Sequence, residues 1–352
     1  MAQSAGTRAD VVLKWARETC DPEIRRWIAA LGGHMGEVAS YQIGWTGGSG
    51  PSERHTGKYV RSALTLLCTR AVGGDAARAA PAAAAMEMVH NLSLLYDDVL
   101  DGDTVRRHRA SAWQVFGPAS ATRAADALLV VAFEELSGVR DGPQIAEDAS
   151  AAVLDTLIQL AVGESLDVLF EGRSRVEPAE CLEMVSGKTA SLFACACRLG
   201  ALYGRAGTAD TARFAAFGHD LGMAFQLVDD LLAIWGDPRL TGKPVFGDLH
   251  ARKLSVPVVA ALASDTPAAR ELAIRYARPP GNDPDGEGAG LAQLVEEAGG
   301  RQWTQKRASA YCGAAHQWLA ELRGRTGATH GPQAQAVADL EAVCDLIVAR
   351  SP

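Results

Sequence analysis

Apolar residues recur at helical spacing through nearly the whole of this chain. Val11, Leu13 and Trp15, then Ile24, Trp27, Ile28 and Leu31, carry the pattern across residues 8–36 and predict a helix there. A Gly/Ser-rich stretch from Ile43 to Tyr59 interrupts it and predicts a loop. Helical patterns then fill roughly 59–73, 80–101, 121–137, 147–171, 178–204, 208–235 and 254–277. A second break, Gly/Pro/Asp-rich over 277–291, reads as a mobile surface loop, and helices return at about 291–298, 302–323 and 331–349. Strand-like alternation is scarce, no linker divides the chain, and no short repeat is present. The pattern predicts an all-α fold, a single-domain helical bundle over residues 1–352.

Composition supports helices. Hydrophobic residues make up 48% of the chain but aromatic ones only 6%, so the core is built mainly of Ala, Leu and Val. The net charge of −8 gives no support to a nucleic-acid partner. The seven cysteines form no CxxC pair, and Cys195 and Cys197 are too close for a zinc knuckle. Such a set reads as reduced thiols, and the expected location is cytoplasmic. The N-terminal residues do not resemble a signal peptide, and no run of eighteen apolar residues exists, so no membrane anchor is expected.

Two carboxylate clusters carry the chemistry. The first lies in HNLSLLYDDVLDGDTVRRHR, residues 90–109. Asp97 and Asp101 lie four apart and share a helix face, with Asp98 about a third of a turn away. His90 precedes Asp97 by seven residues, on nearly the same face. Carboxylates this close repel one another unless a cation neutralises them. Hard oxygen donors suit Mg²⁺, which keeps several waters and shares its shell with phosphate. Arg106 and Arg107 follow, and guanidinium forks bind phosphate oxygens two at a time. The second cluster lies in residues 225–253. Asp229 and Asp230 again close an apolar helical stretch, with Gln226 three residues before Asp229 and Lys243 and Lys253 after them. Two such acidic faces suit Mg²⁺ ions gathered around one diphosphate.

These residues resemble the isoprenyl diphosphate synthases, the trans-prenyltransferases that make geranyl, farnesyl, geranylgeranyl and longer diphosphates. DDVLD at 97–101 matches the family's first aspartate-rich motif, and DDLLA at 229–233 matches the second except at its last position. The resemblance runs from about Lys58 to Pro257. It implies the isoprenoid synthase fold, helices around a central active-site cavity. It also implies three Mg²⁺ ions, with Mn²⁺ as an alternative, held by Asp97, Asp98, Asp101, Asp229 and Asp230. The implied substrates are isopentenyl diphosphate and an allylic diphosphate (dimethylallyl, geranyl or farnesyl), and the implied assembly is a homodimer. TGKYVRS at 56–62 resembles the family's GGKRxRP, which assigns Lys58 and Arg61 to the isopentenyl diphosphate. Tyr59 stands for the usual basic residue and Ser62 for the usual proline. His90 and Arg107 are assigned to the same diphosphate, and Arg106 to the allylic one. SGKTASLF at 186–193 resembles the KT motif. It gives Lys188 and Thr189 to the diphosphate, whose charge would relieve an ammonium in an apolar stretch. GESLD at 163–167 resembles GQxxD, with Glu164 for the usual Gln and Asp167 matching. Gln226, Lys243, Asp248 and Lys253 also match family positions.

Ala233 replaces the last aspartate of the second motif, and Asp237, a turn further on, is the candidate substitute. Leu92 and Ser93, five and four residues before Asp97, occupy positions where farnesyl-making relatives carry aromatic side chains. Their absence here implies a longer product, geranylgeranyl diphosphate (C20) first. Three other readings stay open at this point: a class I terpene cyclase, prenyl transfer to an acceptor other than isopentenyl diphosphate, and a non-catalytic subunit of a heteromeric synthase. The first conflicts with the aspartate-rich second motif, the last with an intact first one.

Overall fold

A computed structural model describes residues 2–47, 57–138, 142–173, 175–237, 245–278, 284–326 and 331–348. The elements in chain order are α1 (Ala2–Leu31), α2 (Gly33–Ile43), α3 (Val60–Ala71), α4 (Ala76–Leu100), β1 (Val105–Arg106), β2 (Arg109–Ala110), α5 (Ala112–Phe116), α6 (Pro118–Ser137), α7 (Pro143–Glu171), α8 (Pro178–Val185), a π-helical turn (Ser186–Ala190), α9 (Ser191–Tyr203), α10 (Thr208–Trp235), α11 (Gly247–His250), α12 (Val256–Leu262), α13 (Pro267–Tyr276), α14 (Pro284–Glu297), α15 (Gly300–Thr326) and α16 (Pro332–Val348). The all-α class expected from the sequence holds. Among the described residues no helix is long and apolar enough to cross a membrane.

The chain divides into two compact units. One comprises residues 1–154, 195–215 and 323–343, the other 155–194, 216–322 and 344–352. In the first unit α4 is the buried element. Ala79, Ala80, Ala82–Ala85, Met86, Met88, Val89, Leu92 and Leu95 are all enclosed, and α4 packs against α1, α3, α5 and α6. A helix apolar on every side belongs in a core, and its alanines let neighbouring helices come close. The helix starts at Asp75, whose side chain accepts the Ala77 N–H at 3.0 Å. It stops at Gly102, whose φ of +68° lets the Asp103 N–H return to the Asp98 carbonyl at 3.0 Å.

In the second unit Phe170, Val185, Met223, Leu227 and Val256 share one core cluster, and Ile234, Val258, Leu272, Leu291 and Val295 share another. Phe193 packs on Phe225, ring centroids 5.3 Å apart. Of the segment expected to be a loop over 277–291, residues 279–283 lie outside the described residues. Pro284 opens α14 and Leu291 and Ala292 are buried, so the second half of that stretch is helix. The single helix expected over 8–36 is broken at Gly32 and Gly33, both at positive φ, and resumes as α2. The seven cysteines are buried, and none is in a disulfide.

Candidate active site

The residues singled out by sequence fall into two sets, one in each unit. In the first unit the end of α4 carries Asp97, Asp98 and Asp101. This is the negative pole of the helix, where carboxylates are disfavoured unless cations meet them. Arg106 supplies one cation. Its Nε donates to Asp98 Oδ1 at 2.7 Å, and a terminal nitrogen reaches Asp103 at 3.2 Å and Asp97 at 3.9 Å. Asp98 is only 1% exposed, so its carboxylate holds Arg106 rather than facing solvent. Burial, opposed by Arg106, pushes the Asp98 carboxyl up to about 6. Its Oδ2 is buried without a hydrogen-bond partner. Burial works against the Arg106 charge, but Asp98 outweighs it and raises the guanidinium.

Arg106 and Arg107 are presented by a two-stranded hairpin in which Val105 pairs with Ala110 and Arg106 with Arg109. Its turn residues, Arg107 and His108, have φ of 52° and 62°. This is the left-handed pair a tight hairpin demands, adopted here without glycine. Contacts outside the turn hold it. Arg109 stacks on the Tyr41 ring at 4.0 Å and donates to the carbonyls of Thr46 and Tyr41, while the Tyr41 hydroxyl donates to Ala110 O at 2.8 Å. Trp113 Nε1 donates to Asp103 O at 2.8 Å. Arg107 is thereby turned inward, its guanidinium donating to Gln42 O at 3.3 Å.

Arg61 and Arg107, the cations that act most on His90, also act on a buried carboxylate that sequence reasoning passed over, Glu87, which is 2% exposed. Burial pushes the Glu87 carboxyl up, and Arg107 and Arg61 oppose that shift. Burial lowers Arg61 to about 10. His90 is held well below its ordinary value, first by burial and then by Arg61, Arg107 and Arg106. It is therefore a neutral imidazole near pH 7. Lys58 is exposed beside the buried Tyr59, whose hydroxyl donates to Asp21 Oδ1 at 2.5 Å. A signal for Glu87 was present: it is the only acidic residue between Arg78 and Asp97.

In the second unit Lys188 lies in the π-helical turn. Such turns are uncommon and gather at functional sites. Its ammonium sits 2.8 Å from Glu164 and 2.7 Å from Asp167 on α7. The ammonium for which the sequence suggested a diphosphate partner is met in this structure by the two α7 carboxylates. Thr189 Oγ1 donates to Gln226 Oε1 at 2.8 Å, and Gln226 Nε2 to Asp230 Oδ1 at 2.8 Å. The other Asp230 oxygen accepts the Val256 N–H at the start of α12, at 3.0 Å. Burial pushes the Asp230 carboxyl up to about 7, and its exposure is 7%. Asp230 is thus a link in a buried chain, whereas Asp229 is half-buried. Ala233 is packed at 4% exposure, and Asp237 lies beyond the end of α10, outside the helical phase that would have aligned it with Asp229. Lys253 closes the turn after α11, donating its N–H to Asp248 O at 2.9 Å. Its own carbonyl accepts from the Tyr276 hydroxyl at 2.7 Å. Lys243 lies outside the described residues.

A family model for polyprenyl synthetase matches residues 52–286. The chain belongs to the polyprenyl synthetase family. It is 43% identical over 269 residues to a geranylgeranyl diphosphate synthase of Mycobacterium tuberculosis, covering 76% of this chain and 77% of that one. It is also 40% identical over 300 residues to a (2E,6E)-farnesyl diphosphate synthase of Mycobacterium bovis, covering 84% and 83%. The crystal structure of a polyprenyl synthetase from Streptomyces coelicolor superposes with a TM-score of 0.86 at 37% identity, covering 96% of this chain and 99% of that one. This polyprenyl synthetase family member is therefore a trans-prenyltransferase with the isoprenoid synthase fold, and its reaction is prenyl chain elongation.

Proposed function

We propose that the enzyme condenses an allylic diphosphate head-to-tail with isopentenyl diphosphate, using Mg²⁺, and releases mainly geranylgeranyl diphosphate. The observation that carries this reading is that one unit holds both Arg61 and Arg107 about the buried Glu87 and the Asp97–Asp98–Arg106 group. The first group suits a diphosphate bound without metal, the second a diphosphate bound with it. The carboxylates at the α4 terminus fit a hard cation. They are oxygen donors at the negative end of a helix, and Asp98 keeps one buried oxygen unsatisfied. Among the described residues no three His, Cys, Asp or Glu are gathered into a protein-only metal cage. That suits Mg²⁺, which completes its shell with phosphate and water. Asp97 and Asp101 would supply ligands in the first unit.

Mg²⁺ held by Asp97 and Asp101 would supply positive charge to offset that developing on a departing allylic diphosphate. The protein does the rest through its own side chains. Asp98 fixes Arg106 to grip that diphosphate. Lys188, oriented by Glu164 and Asp167, adds a cation, and the Thr189 hydroxyl is held in place by Gln226. Lys58, Arg61, His90 and Arg107 hold isopentenyl diphosphate so that its double bond is aimed at the allylic carbon. One proton is then lost from the new chain, with the released diphosphate as the acceptor.

Product length is read from Leu92 and Ser93. Leu92 is buried, and Ser93 folds its hydroxyl back to His90 O at 2.8 Å, so neither position holds a bulky ring. Homodimer formation is supported by an exposed apolar line on α7, Ile158, Val162 and Leu169, spaced four and seven apart.

The test is incubation with isopentenyl diphosphate, Mg²⁺ and each allylic donor, followed by product analysis before and after phosphatase. C20 prenol appearing only after phosphatase supports the reading. Hydrocarbons formed without isopentenyl diphosphate would replace it with a cyclase. In the same assay Leu92→Phe is expected to shift product toward C15, and an unchanged product length would remove Leu92 from the chain-length role.

A further inference from the structure

We propose that Glu87 is the positioning residue of the isopentenyl diphosphate site: its buried carboxylate holds Arg61 and Arg107 in the arrangement that receives the diphosphate. This rests on the site assignment made above and extends it to a residue that no motif includes.

Four observations converge on this side chain. Glu87 is enclosed in the middle of α4, three residues before His90. Asn91 Nδ2 donates to its Oε1 at 3.3 Å and to its backbone carbonyl at 2.8 Å, and Ser62 Oγ lies 3.4 Å from its Oε2. A side chain begun at Gly57 would meet both Glu87 Oε1 and an Arg107 terminal nitrogen at 3.0 Å. So the backbone at Gly57 lies directly over this carboxylate and guanidinium, and glycine there leaves them room. Finally, Arg61 and Arg107 are the cations that act on the Glu87 charge.

A buried carboxylate is retained only where cations and hydrogen bonds compensate it. Two half-buried arginines beside one imidazole would repel one another without an anion among them. Glu87 supplies that anion in the free enzyme and fixes where the guanidinium forks point. The two departures from the family's lysine–arginine segment adjoin it. Ser62, in the place of the usual proline, donates to Ala83 O at 2.9 Å and brings its hydroxyl within 3.4 Å of the carboxylate. Tyr59, in the place of the usual basic residue, is turned away to Asp21. The cationic work at Glu87 is left to Arg61 and Arg107.

Replacing Glu87 has two opposed effects on an incoming diphosphate. Removing one negative charge lessens repulsion. Releasing two guanidinium groups loses the fixed forks that bind phosphate bidentately. Two charge-assisted contacts are misplaced against one through-space repulsion relieved, so weaker binding is expected to prevail.

The experiment uses steady-state kinetics of the full chain with Mg²⁺, comparing wild type with Glu87→Gln, Glu87→Asp, Ser62→Ala and Arg107→Ala. For Glu87→Gln the KM for isopentenyl diphosphate is expected to rise about tenfold, with the KM for the allylic diphosphate unchanged and kcat nearly retained. Glu87→Asp should recover part of the loss. Ser62→Ala, which leaves the carboxylate in place, should show the same split more weakly and serves if Glu87→Gln does not fold. An unchanged or lowered KM for isopentenyl diphosphate in Glu87→Gln, with the wild-type KM retained in Ser62→Ala, would overturn the proposal. So would equal losses for both substrates. Arg107→Ala separates the two failures. If it too leaves that KM unchanged, the site assignment is wrong. If it raises that KM while Glu87→Gln does not, only the role of Glu87 falls.

Discussion

Gly163→Ala sets two opposing effects against each other at one position. Gly163 lies inside α7, and alanine in a helix interior is favoured over glycine by about 1 kcal/mol. Taken alone, that substitution stabilises. The structure says otherwise, because α7 crosses the π-helical turn at this point. A Cβ on residue 163 would stand 2.3 Å from Lys188 N, 2.7 Å from Gly187 C and 2.9 Å from Lys188 Cα. All three are backbone atoms and cannot swing aside. Gly187 is equally confined, its own would-be Cβ 2.6 Å from Gln159 O. Restoring ordinary contact moves the two backbones apart by about 1 Å, and such overpacking costs roughly 1–3 kcal/mol or more where the neighbour is main chain. The clash exceeds the propensity gain, so a net loss of about 2 kcal/mol is expected, read as a lower urea midpoint with unchanged slope. The same displacement carries Lys188 away from Glu164 and Asp167. A shift of that size at a binding group costs on the order of 100-fold in turnover. Equilibrium denaturation and steady-state kinetics on the purified variant measure both. A variant as stable as the wild type, or more so, with unchanged turnover would refute the close crossing.

Three further outcomes follow from the first unit. Asp98→Asn leaves Arg106 without its principal anion, so a loss of about 2–3 kcal/mol is expected in denaturation, together with a raised KM for the allylic diphosphate. Asp97→Ala should instead abolish Mg²⁺-dependent turnover with little change in stability, and identical behaviour of the two variants would contradict the separate roles given to them. His90 gives a pH dependence. Its imidazole is depressed in the folded state, so below the ordinary value of 6.5 the unfolded chain binds the extra proton. The stability from this group is present above about pH 6.5 and is lost as pH falls, by about 1.4 kcal/mol per unit. His90→Gln should flatten that part of the stability profile between pH 5 and 6.5, and an unchanged slope would show that His90 is not held neutral.

Much of the molecule is legible in its sequence. Helical periodicity alone marks nearly every long helix, because an apolar face repeating at 3.6 residues has no other stable use in a soluble core. The DDVLD and DDLLA clusters, the arginine pair and the SGKT segment are legible as well, since close like charges and apolar-embedded cations need partners whatever the fold. Where the helices end is less legible. The helix that begins at Pro284 was hidden by its glycines and proline, which mark loops on average but here give way to the burial of Leu291 and Ala292. The hairpin at 105–110 was not visible either. RRHR carries no turn residue, and its left-handed pair is held by Tyr41 and Thr46, more than sixty residues away in sequence.

The sequence by itself determined the helical class, the family and the kinds of group that would meet a diphosphate. Tertiary structure alone decided how those groups divide their work. Asp98 and Asp230, equal to their neighbours as letters in a motif, are turned inward to hold Arg106 and the start of α12, while Asp97 and Asp229 remain half-buried. Lys188 finds Glu164 and Asp167 because two glycines let α7 touch the turn that carries it. Glu87 becomes the centre of a cationic cluster only once α3, α4 and the hairpin are folded together. The physical reason is the same in each case. Spacing along one helix sets which face a side chain shares, but whether a charge is paired, buried or available depends on neighbours brought in from distant parts of the chain.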